Sequence, residues 1–434
     1  MKNDTVVIDS GVTIPGSIED KAFRKAILRL VPLLTISFLV NYIDRTNVGF
    51  AALTMNHDIG LSNMAFGWGA GVLFFSYCFF EVPSNAVLYR VGARIWLARI
   101  MITWGILSAA TALVSGPRSF YLMRFLLGAA EAGFNPGVMF FFLAWFPVRY
   151  RSRILAWFQM AIPLSAVVSG PLSIAVLQAN GLLGLAGWQW LFIVEGVPAV
   201  ILGVAVLVMV TDQPKDAAWL TPDERQAITA AVAAETRERA VIHFRDIVTD
   251  PRVLLLTAIQ FGFTLGSYGI GIWLPLILKE HKLSTLSIGL VAAVPYMIGC
   301  FATILWASAV DRSGRRIFHL ALTCGLAALG MLIAVSVPTL AVSMLGLTIA
   351  IVGVTSARGI FWSIPPRFLS GKGAASGLAL ISSVATLGGF LGPVTMGWLR
   401  TTTGSFTTGL VCMAALIAMS GLLTLLLPRF MKGD

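Results

Sequence analysis

Long apolar segments dominate this chain and fix the kind of fold available to it. Twelve mainly apolar stretches follow one another. Each is about 20 residues or longer, which is enough to cross a bilayer core as a helix at ~1.5 Å per residue. Hydrophobic residues make up 57% of the 434 residues, and charged residues only 12%. Because backbone polar groups inside a bilayer must be satisfied within the structure itself, the sequence predicts an all-α membrane protein with twelve transmembrane helices.

The predicted spans, numbered 1 to 12, are residues 28–53, 65–88, 96–114, 119–143, 154–178, 190–210, 253–278, 285–309, 318–337, 340–364, 374–399 and 406–427. They divide the chain into a tail (1–27), a six-helix half (28–210), a linker (211–252), a second six-helix half (253–427) and a short tail (428–434). The linker is polar and mixes acids with bases, so we expect an amphipathic helix within it.

The basic residues alternate between the two sides of the predicted bundle. Of 31 Lys and Arg residues, 24 fall in the segments on the side of the N-terminus, four on the other side and three within spans. This is the positive-inside pattern, which predicts that both termini are cytoplasmic and that the protein is a multi-pass protein of the inner cell membrane. The formal charge of +11 therefore indicates membrane topology and not nucleic-acid binding.

The two halves repeat at a constant spacing. Arg90, Gly92 and Arg94 after span 2 recur 222 residues later as Arg312, Gly314 and Arg316 after span 8. The Gly-Pro pair at 170–171 in span 5 recurs with the same spacing at 392–393 in span 11. Two six-helix halves in the same membrane orientation are one way in which transporters are built, with the substrate site between the halves.

Four charged residues are embedded in the first half. Asp44 and Arg45 are adjacent within span 1, and Arg124 and Glu131 lie seven residues apart in span 4, on one helical face. A charge at the bilayer centre costs roughly 2.5–3.5 kcal/mol on insertion scales, so such groups usually have a function. Either they form static ion pairs that fix helix packing, or protons neutralise the acids and release the arginines for an anion. Small residues around Glu131 suggest that span 4 packs closely on span 1 or span 5.

A set of motifs in order along the chain carries a family resemblance. The chain resembles the transporters of the major facilitator superfamily over essentially its whole length. More narrowly, it is similar to the anion:cation symporters, which include bacterial permeases for 4-hydroxyphenylacetate, phthalate, tartrate and sugar acids. The matching stretches are Tyr42–Asn47 with Phe50-Ala51, Glu81–Asn85, Val91–Arg94, Arg124 through Gly128 to Glu131–Phe134, Gly170–Ser173, Gly187–Phe192 with Glu195-Gly196, and Phe361-Trp362 before Pro365.

The resemblance implies the major facilitator fold and a role for each embedded charge. Asp44 and Glu131 match the positions that carry protons in the family, and Arg45 and Arg124 match those that recognise the anion. The hydroxyls of Tyr42 and Tyr77 are further candidates for substrate contact, although an aromatic residue in a span often serves packing alone.

Span 10 contains a third embedded cation. Arg358 lies four residues before Trp362, one helical turn away, in a region that contacts substrate in the family. This arginine departs from the family pattern as we know it. Arg358 either binds a second carboxylate or polar end of the substrate, or extends to the membrane interface.

The loops on the side of the termini contain the predicted conformational switch. Asp311, Arg312, Gly314 and Arg316 match the superfamily loop motif, in which the glycine makes a tight turn and the charges form pairs present in one state only. The first-half copy has Arg90, Gly92 and Arg94 but Tyr89 in place of the acid, so this latch is either weakened or uses Glu81. We otherwise expect Glu81 and Glu195 to bond loop arginines or helix termini.

Together these features predict a proton-coupled symporter that imports a small organic carboxylate by alternating access. An aromatic acid, a dicarboxylate and a sugar acid all fit. The alternatives are a Na⁺-coupled organic anion transporter, an anion exchanger and, less favoured, a transporter-like sensor. No nucleophile, metal-ligand cluster or phosphate loop accompanies the histidines, so we expect no enzyme activity, cofactor or metal. The expected partners are the organic anion, protons and the lipid bilayer, and a monomer is the superfamily default.

Overall fold

The computed structural model describes residues 17–234, 249–365 and 371–431. Parts of the predicted tails (1–16 and 432–434) and of the linker (235–248) lie outside these residues. The described residues form helices and loops, with no strand among them, and the predicted fold class is confirmed. Twelve helices are long and apolar enough to cross a membrane: Ile18–Asp58, Asn63–Val91, Ala93–Leu113, Pro117–Trp145, Val148–Leu177, Gly187–Met209, Pro251–Lys279, Thr285–Ser313, Arg316–Ser336, Leu340–Trp362, Leu380–Thr403 and Phe406–Phe430.

Span 1 begins well before the predicted boundary. Ser17 caps its helix by accepting a hydrogen bond from the Asp20 backbone N–H, and helical residues follow from Ile18. The side chains of Phe23 and Ala26 are buried. Residues 18–27 are thus part of the helix, where the sequence predicted a tail, because they pack against the rest of the bundle.

Span 4 is interrupted directly after Glu131. Its first helix is Pro117–Glu131 and its second is Phe134–Trp145. Gly133 between them has a φ of 90°, a left-handed conformation that glycine adopts without strain. The predicted span is therefore two helical segments, and the break places Glu131 at a helix end in the membrane interior.

The repeat predicted from the loop motifs is visible in the helix boundaries. Spans 8, 9 and 10 begin 222 or 223 residues after spans 2, 3 and 4. The two matching loop glycines both have a positive φ, 96° at Gly92 and 67° at Gly314, but their ψ values of 151° and -4° differ. A glycine with positive φ thus ends the second helix of each half, although the two turns have different backbone conformations.

The two halves meet closely at the face of the bundle opposite the chain termini, called here the distal face. A Cβ on Gly67 at the start of span 2 would lie 2.6 Å from the Pro393 carbonyl oxygen in span 11. A Cβ on Gly170 in span 5 would lie 2.5 Å from the Gly289 carbonyl oxygen in span 8. The backbones of the halves are therefore in direct contact on this side.

Towards the opposite, terminal face, the halves are joined by polar contacts between spans 2 and 11. The Cys78 thiol donates to the Ser383 carbonyl oxygen at 3.2 Å, and the Ser383 hydroxyl donates to Glu81 at 3.3 Å. Glu81 lies ten residues before span 2 ends at Val91. Glu81 thus bonds across the half–half interface and not to a loop arginine or a helix terminus as expected.

The described part of the linker packs on the first half. It contains the helix Pro222–Ala234, as predicted, and Glu224 in this helix forms an ion pair with Lys25 of span 1. The hydrogen bond from Lys25 lowers the pKa of Glu224, and backbone bonding from Thr221 adds to this effect. Trp219 stacks on Trp145 at the end of span 4, with ring centroids 5.6 Å apart. These contacts hold the linker helix against spans 1 and 4.

Candidate functional site

Asp44 and Arg45 are neighbours in sequence but face different helices. Successive residues of a helix project about 100° apart. Asp44 accordingly contacts span 3, whereas Arg45 contacts span 4. The two side chains therefore belong to separate parts of the site.

Asp44 is fully buried and is held by three hydrogen-bond donors. Trp104 Nε1 donates to Oδ2 at 2.7 Å, and the Ser108 hydroxyl donates to Oδ1 at 2.5 Å. Asn47 Nδ2, one turn along span 1, also donates to Oδ1 at 3.1 Å. Trp104 and Ser108 are one turn apart in span 3, so a single face of that helix supplies two donors. Three donors and no directly bonded cation make this a site where a carboxylate is held without an ion pair.

Arg45 and Glu131 form the direct ion pair of the site. Arg45 Nε lies 2.9 Å from Glu131 Oε2, and Asn41 Nδ2 donates to the same oxygen at 3.1 Å. Glu131 is fully buried and Arg45 nearly so. Removing one member of such a pair leaves an uncompensated buried charge, which typically costs 3–5 kcal/mol. The pair can therefore separate only if a proton neutralises Glu131 or if another charged group takes the place of one partner.

Arg124 is buried completely, yet its guanidinium is unpaired. None of its three nitrogens makes a hydrogen bond with any residue that the structure describes. Asp44, Glu131 and Arg45 are the charged groups within electrostatic range of it. A buried guanidinium with five unused N–H donors is costly unless an acceptor joins it.

The sequence predicted that these four charges compete for one another. In the structure, the four residues differ in whether they have a direct charged partner. Only Arg45 and Glu131 are in direct contact, while Asp44 uses neutral donors and Arg124 has no direct partner among the described residues. Span 4 was expected to pack on span 1 or span 5, and Glu131 does contact Asn41 and Arg45 of span 1. The small residue Gly128, however, lies directly against Leu73 and Ser76 of span 2.

Tyrosines surround the free side of Arg45. The Arg45 guanidinium carbon lies 4.6 Å from the centroid of the Tyr77 ring and 5.4 Å from that of Tyr42. Tyr268 of span 7 is also within electrostatic range of Arg45 and Tyr42. The structure thus brings Tyr42 and Tyr77, both predicted from the sequence, to the arginine at the boundary between the halves.

Arg358 reaches the same boundary from the second half. Its Nη2 donates to the Ser267 hydroxyl at 3.2 Å, and its charge acts on Tyr42 across the interface. Ser267 is the residue 222 positions after Arg45, so it occupies the repeat position of that arginine. The second half therefore has a serine at the position equivalent to Arg45, and the cation Arg358 of span 10 contacts this serine.

Trp362 lies further from these charges. It is the last residue of its helix, is 37% exposed, and its ring contacts that of Phe361. Arg358 is one turn deeper in the membrane. The structure places Trp362 near the terminal face of the bundle and leaves its predicted substrate contact a prediction.

The predicted switch loop of the first half is organised by an acid that the sequence motif did not include. The Arg94 backbone N–H donates to Asp212 Oδ1 at 2.7 Å, and Arg94 Nε donates to the Leu207 carbonyl oxygen at 2.7 Å. A side chain on Gly92 would collide with Asp212. Asp212, which follows span 6, thus occupies the place that we had considered for Glu81, while Arg90 is exposed.

The second-half loop has a different glycine conformation and makes fewer contacts among the described residues. Gly314 caps span 8 in the left-handed conformation, and Asp311 and Arg312 are exposed. Arg316 Nη1 donates to the Ser363 carbonyl oxygen at the end of span 10, at 3.3 Å. The structure therefore connects this loop to the helix that carries Arg358.

Several residues of the site could not be recognised from the sequence. Trp104, Ser108 and Asn41 hold the two acids, but Ser, Asn and Trp are ordinary residues of membrane helices. The weak signal was the spacing of Trp104 and Ser108 on one face of an otherwise apolar span. Within the described residues, no group of three or more His, Cys, Asp or Glu side chains is arranged to hold a metal ion.

Comparisons with known proteins agree with this architecture. The sequence model of the family described as Major Facilitator Superfamily matches residues 34–393. A putative tartrate transporter from Agrobacterium vitis is 46% identical over 418 residues, which cover 96% of this chain and 93% of that protein. A quinolone resistance transporter from Acinetobacter baumannii is 38% identical over 413 residues, 94% of each chain.

Among solved structures, the fold resembles that of a bacterial homolog of the human lysosomal transporter Spinster, in an inward-facing and occupied conformation. The TM-score is 0.77 at 15% identity, covering 94% of this chain and 97% of the other. At this identity the likeness concerns the fold alone.

Proposed function

The chain belongs to the Major Facilitator Superfamily of membrane transporters, and on this basis we propose that it imports a small organic carboxylate together with protons. It is a transporter and not an enzyme. We place it in the inner cell membrane as a monomer with both termini in the cytoplasm, in line with the distribution of its basic residues.

The observation that carries the proposal is the buried guanidinium of Arg124, which makes no hydrogen bond with any described residue. A carboxylate can accept two parallel hydrogen bonds from one guanidinium, which gives both energy and geometric selectivity. Arg45 lies within electrostatic range of Arg124 and is lined by two tyrosine rings. The two arginines thus offer a binding site for a carboxylate of a flat or hydroxylated compound.

Proton coupling follows from the Arg45–Glu131 pair. A proton on Glu131 removes the charge that holds Arg45, so that Arg45 becomes available to the substrate. When the substrate leaves, Arg45 returns to Glu131 and the proton is released. Asp44 is the second proton carrier in this scheme, because its carboxylate is buried with neutral donors only.

The coupling number sets the driving force. One proton with a monoanion moves no net charge, so the pH gradient alone drives uptake. Two protons with a monoanion move one net charge, which adds about 2.3 kcal/mol per 100 mV of membrane potential. Two proton carriers allow the second case.

Contact between the halves at the distal face supports alternating access. With cytoplasmic termini, the distal face is the outer one, and the close backbone contacts at Gly67 and Gly170 seal it. This arrangement corresponds to an inward-facing state. Rocking of the two halves about the central site would open these contacts and expose the site to the outside.

The second carboxylate or polar end of a substrate has two candidate partners in the second half. Arg358 at the half–half boundary is the first of them, and Trp362 is a further aromatic contact. One relative is named a putative tartrate transporter, and this name agrees with a substrate that has two carboxylates. In the alternative, Arg358 extends to the membrane–water interface, and an aromatic acid or sugar acid needs only the first-half arginines.

A Na⁺-coupled mechanism is the second candidate. It is favoured by Asn47, whose side-chain oxygen is buried next to Asp44 and makes no hydrogen bond with any described residue. Carboxylate and amide oxygens are suitable ligands for a hard cation. The same assay decides between the two cations.

The test is uptake of labelled organic acids, beginning with tartrate, into proteoliposomes under an imposed pH gradient, with and without Na⁺. We expect accumulation that follows the pH gradient and is independent of Na⁺. Asp44→Asn and Glu131→Gln should abolish accumulation but retain counterflow, which requires binding and exchange only. Asp223→Asn, which removes an exposed acid of the linker helix, serves as the matched control. Accumulation that survives both substitutions would show that the two buried acids serve packing alone.

A further inference from the structure

A third buried carboxyl group lies beside Asp44 inside the first half. Glu195 of span 6 is only 3% exposed. The sequence analysis expected it to bond a loop arginine or a helix terminus. The structure instead directs it into the first half, where Asp44 is its charged neighbour.

Close helix packing brings the two acids together. Spans 3 and 6 cross at Gly105 and Gly196, where a Cβ on either glycine would lie within 2.7 Å of the other's carbonyl oxygen. Gly196 follows Glu195 directly, and its Cβ would lie 3.2 Å from the Cβ of Ser108, which donates to Asp44. The crossing therefore fixes Glu195 next to the helix face that holds Asp44.

Asn47 lies close to both carboxyl groups. Its Nδ2 donates to Asp44 Oδ1 at 3.1 Å, and the same side chain is within electrostatic range of Glu195. The Ser173 hydroxyl of span 5 donates to Glu195 Oε1 at 3.0 Å. Polar groups of spans 1, 3 and 5 thus lie around the two carboxyl groups, with Ser173 on Glu195 and Asn47 on Asp44.

The hydrogen bonds of these groups indicate where a proton resides. Asp44 accepts three hydrogen bonds, as an ionised carboxylate does. Glu195 Oε2 and Asn47 Oδ1 are both buried and make no hydrogen bond with the described residues. A proton on Glu195 Oε2 turns this oxygen into a donor, and the carbonyl oxygen of Asn47 is an acceptor without a partner among the described residues.

We propose that Glu195 is a proton carrier of the transport cycle and exchanges its proton with Asp44. In the exchange the O–H bond at Glu195 breaks, an O–H bond at Asp44 forms, and the net charge of the pair stays at one negative charge. This inference rests on the proposed proton-coupled function and adds a group that the family motif of Asp44 and Glu131 does not contain.

The position of Glu195 gives the exchange a direction. Glu195 lies eight residues, or ~12 Å, from the distal end of span 6 at Gly187, whereas Asp44 lies 14 residues, or ~21 Å, from the distal end of span 1 at Asp58. Glu195 is therefore the first of the two acids that a proton entering from the distal side meets. Asp44, with its donors all from spans 1 and 3, receives it second.

The groups that face Asp44 and Glu195 come from several different spans. Span 1 presents Asp44 to Glu195, span 5 presents Ser173, and span 3 presents the glycine crossing and Ser108. Arg124 and Glu131 of span 4 act electrostatically on Asp44. Among the described residues, Asp44 is thus the charged group that links Glu195 to Glu131 and Arg124.

The test compares Glu195→Gln with Glu195→Asp, each reconstituted as the full chain. The first removes the titratable group and keeps the shape, while the second keeps a carboxyl group. With labelled tartrate, or the acid of the panel that wild type accumulates best, we expect Glu195→Gln to lose pH-driven accumulation while counterflow stays within about twofold of wild type. Glu195→Asp should retain part of the accumulation, and its pH profile should be displaced from that of wild type.

A second measurement needs no substrate. Infrared difference spectra of the purified protein over a pH titration should contain a carboxylic-acid C=O band that is missing in Glu195→Gln. Wild-type accumulation driven by the pH gradient, together with unchanged accumulation and an unchanged infrared band in Glu195→Gln, overturns the inference and leaves the proposed function standing. Wild type that ignores the pH gradient overturns both.

Discussion

Adding one methyl group at the distal seal should shift the transporter towards its outward-open state. Gly67→Ala places a Cβ 2.6 Å from the Pro393 carbonyl oxygen, and Gly170→Ala places one 2.5 Å from that of Gly289. Both neighbours are backbone atoms of the other half, so no side-chain rotation relieves the overlap. Separation of the halves at this face does relieve it.

The magnitude follows from the cost of overpacking. An extra methyl in a packed interface typically costs 1–3 kcal/mol. At 1.4 kcal/mol per factor of ten, the inward-to-outward equilibrium should shift by roughly five- to 150-fold. The cost falls on one state only, because the overlap exists only where the halves touch.

A reporter cysteine at the seal can measure this shift. Ala52 is 2% exposed and lies in the distal groove formed with Leu276 and Lys279 of span 7. Ala52→Cys, in a background without the four native cysteines, should react with a membrane-impermeant maleimide in proportion to the outward-open population. We expect Gly67→Ala and Gly170→Ala to raise the labelling rate about fivefold or more.

Gly325→Ala is the matched control for this experiment. Gly325 lies within the helix of span 9, and a Cβ there meets no atom within 4 Å in the structure. It tests the effect of replacing a helical glycine without any contact between halves. Equal labelling rates in all three variants would refute the reasoning about the seal.

Three further substitutions test other parts of the structure. Arg124→Lys keeps the charge but loses the planar fork, so the apparent KM for counterflow should rise roughly ten- to a hundredfold, corresponding to about 1.5–3 kcal/mol for charged hydrogen bonds; an unchanged KM would remove Arg124 from the binding site. Arg358→Ser should weaken transport of dicarboxylates by about tenfold and leave transport of monocarboxylates within about twofold of wild type. Equal effects on both classes would support the alternative in which Arg358 extends to the membrane–water interface. Glu224→Gln should lower the Tm most at neutral pH: since Lys25 lowers the pKa of Glu224 in the folded state, the stabilisation is present above the unfolded pKa and is lost as the pH falls through the folded one. A Tm difference that is constant from neutral to acidic pH would contradict this.

Much of the fold could be read from the sequence because the bilayer restricts the choice so strongly. Twelve apolar segments of sufficient length, with alternating basic loops, allow few arrangements, and the described residues do contain twelve helices long and apolar enough to cross a membrane. The boundaries were less predictable. Residues 18–27 are polar enough to resemble a tail, and the break at Gly133 depends on a single backbone conformation within an apolar run.

The sequence by itself identified the charged residues, because Asp44, Arg45, Arg124 and Glu131 are exceptional within apolar spans. Which of them are in contact could not be read from the sequence and is seen only once the helices are packed. The partners of a buried charge come from other helices, and helix crossings such as that of Gly105 with Gly196 depend on packing between distant segments. For this reason Arg45 is paired with Glu131, Arg124 has no hydrogen-bond partner among the described residues, and Glu195 lies beside Asp44 instead of at a loop.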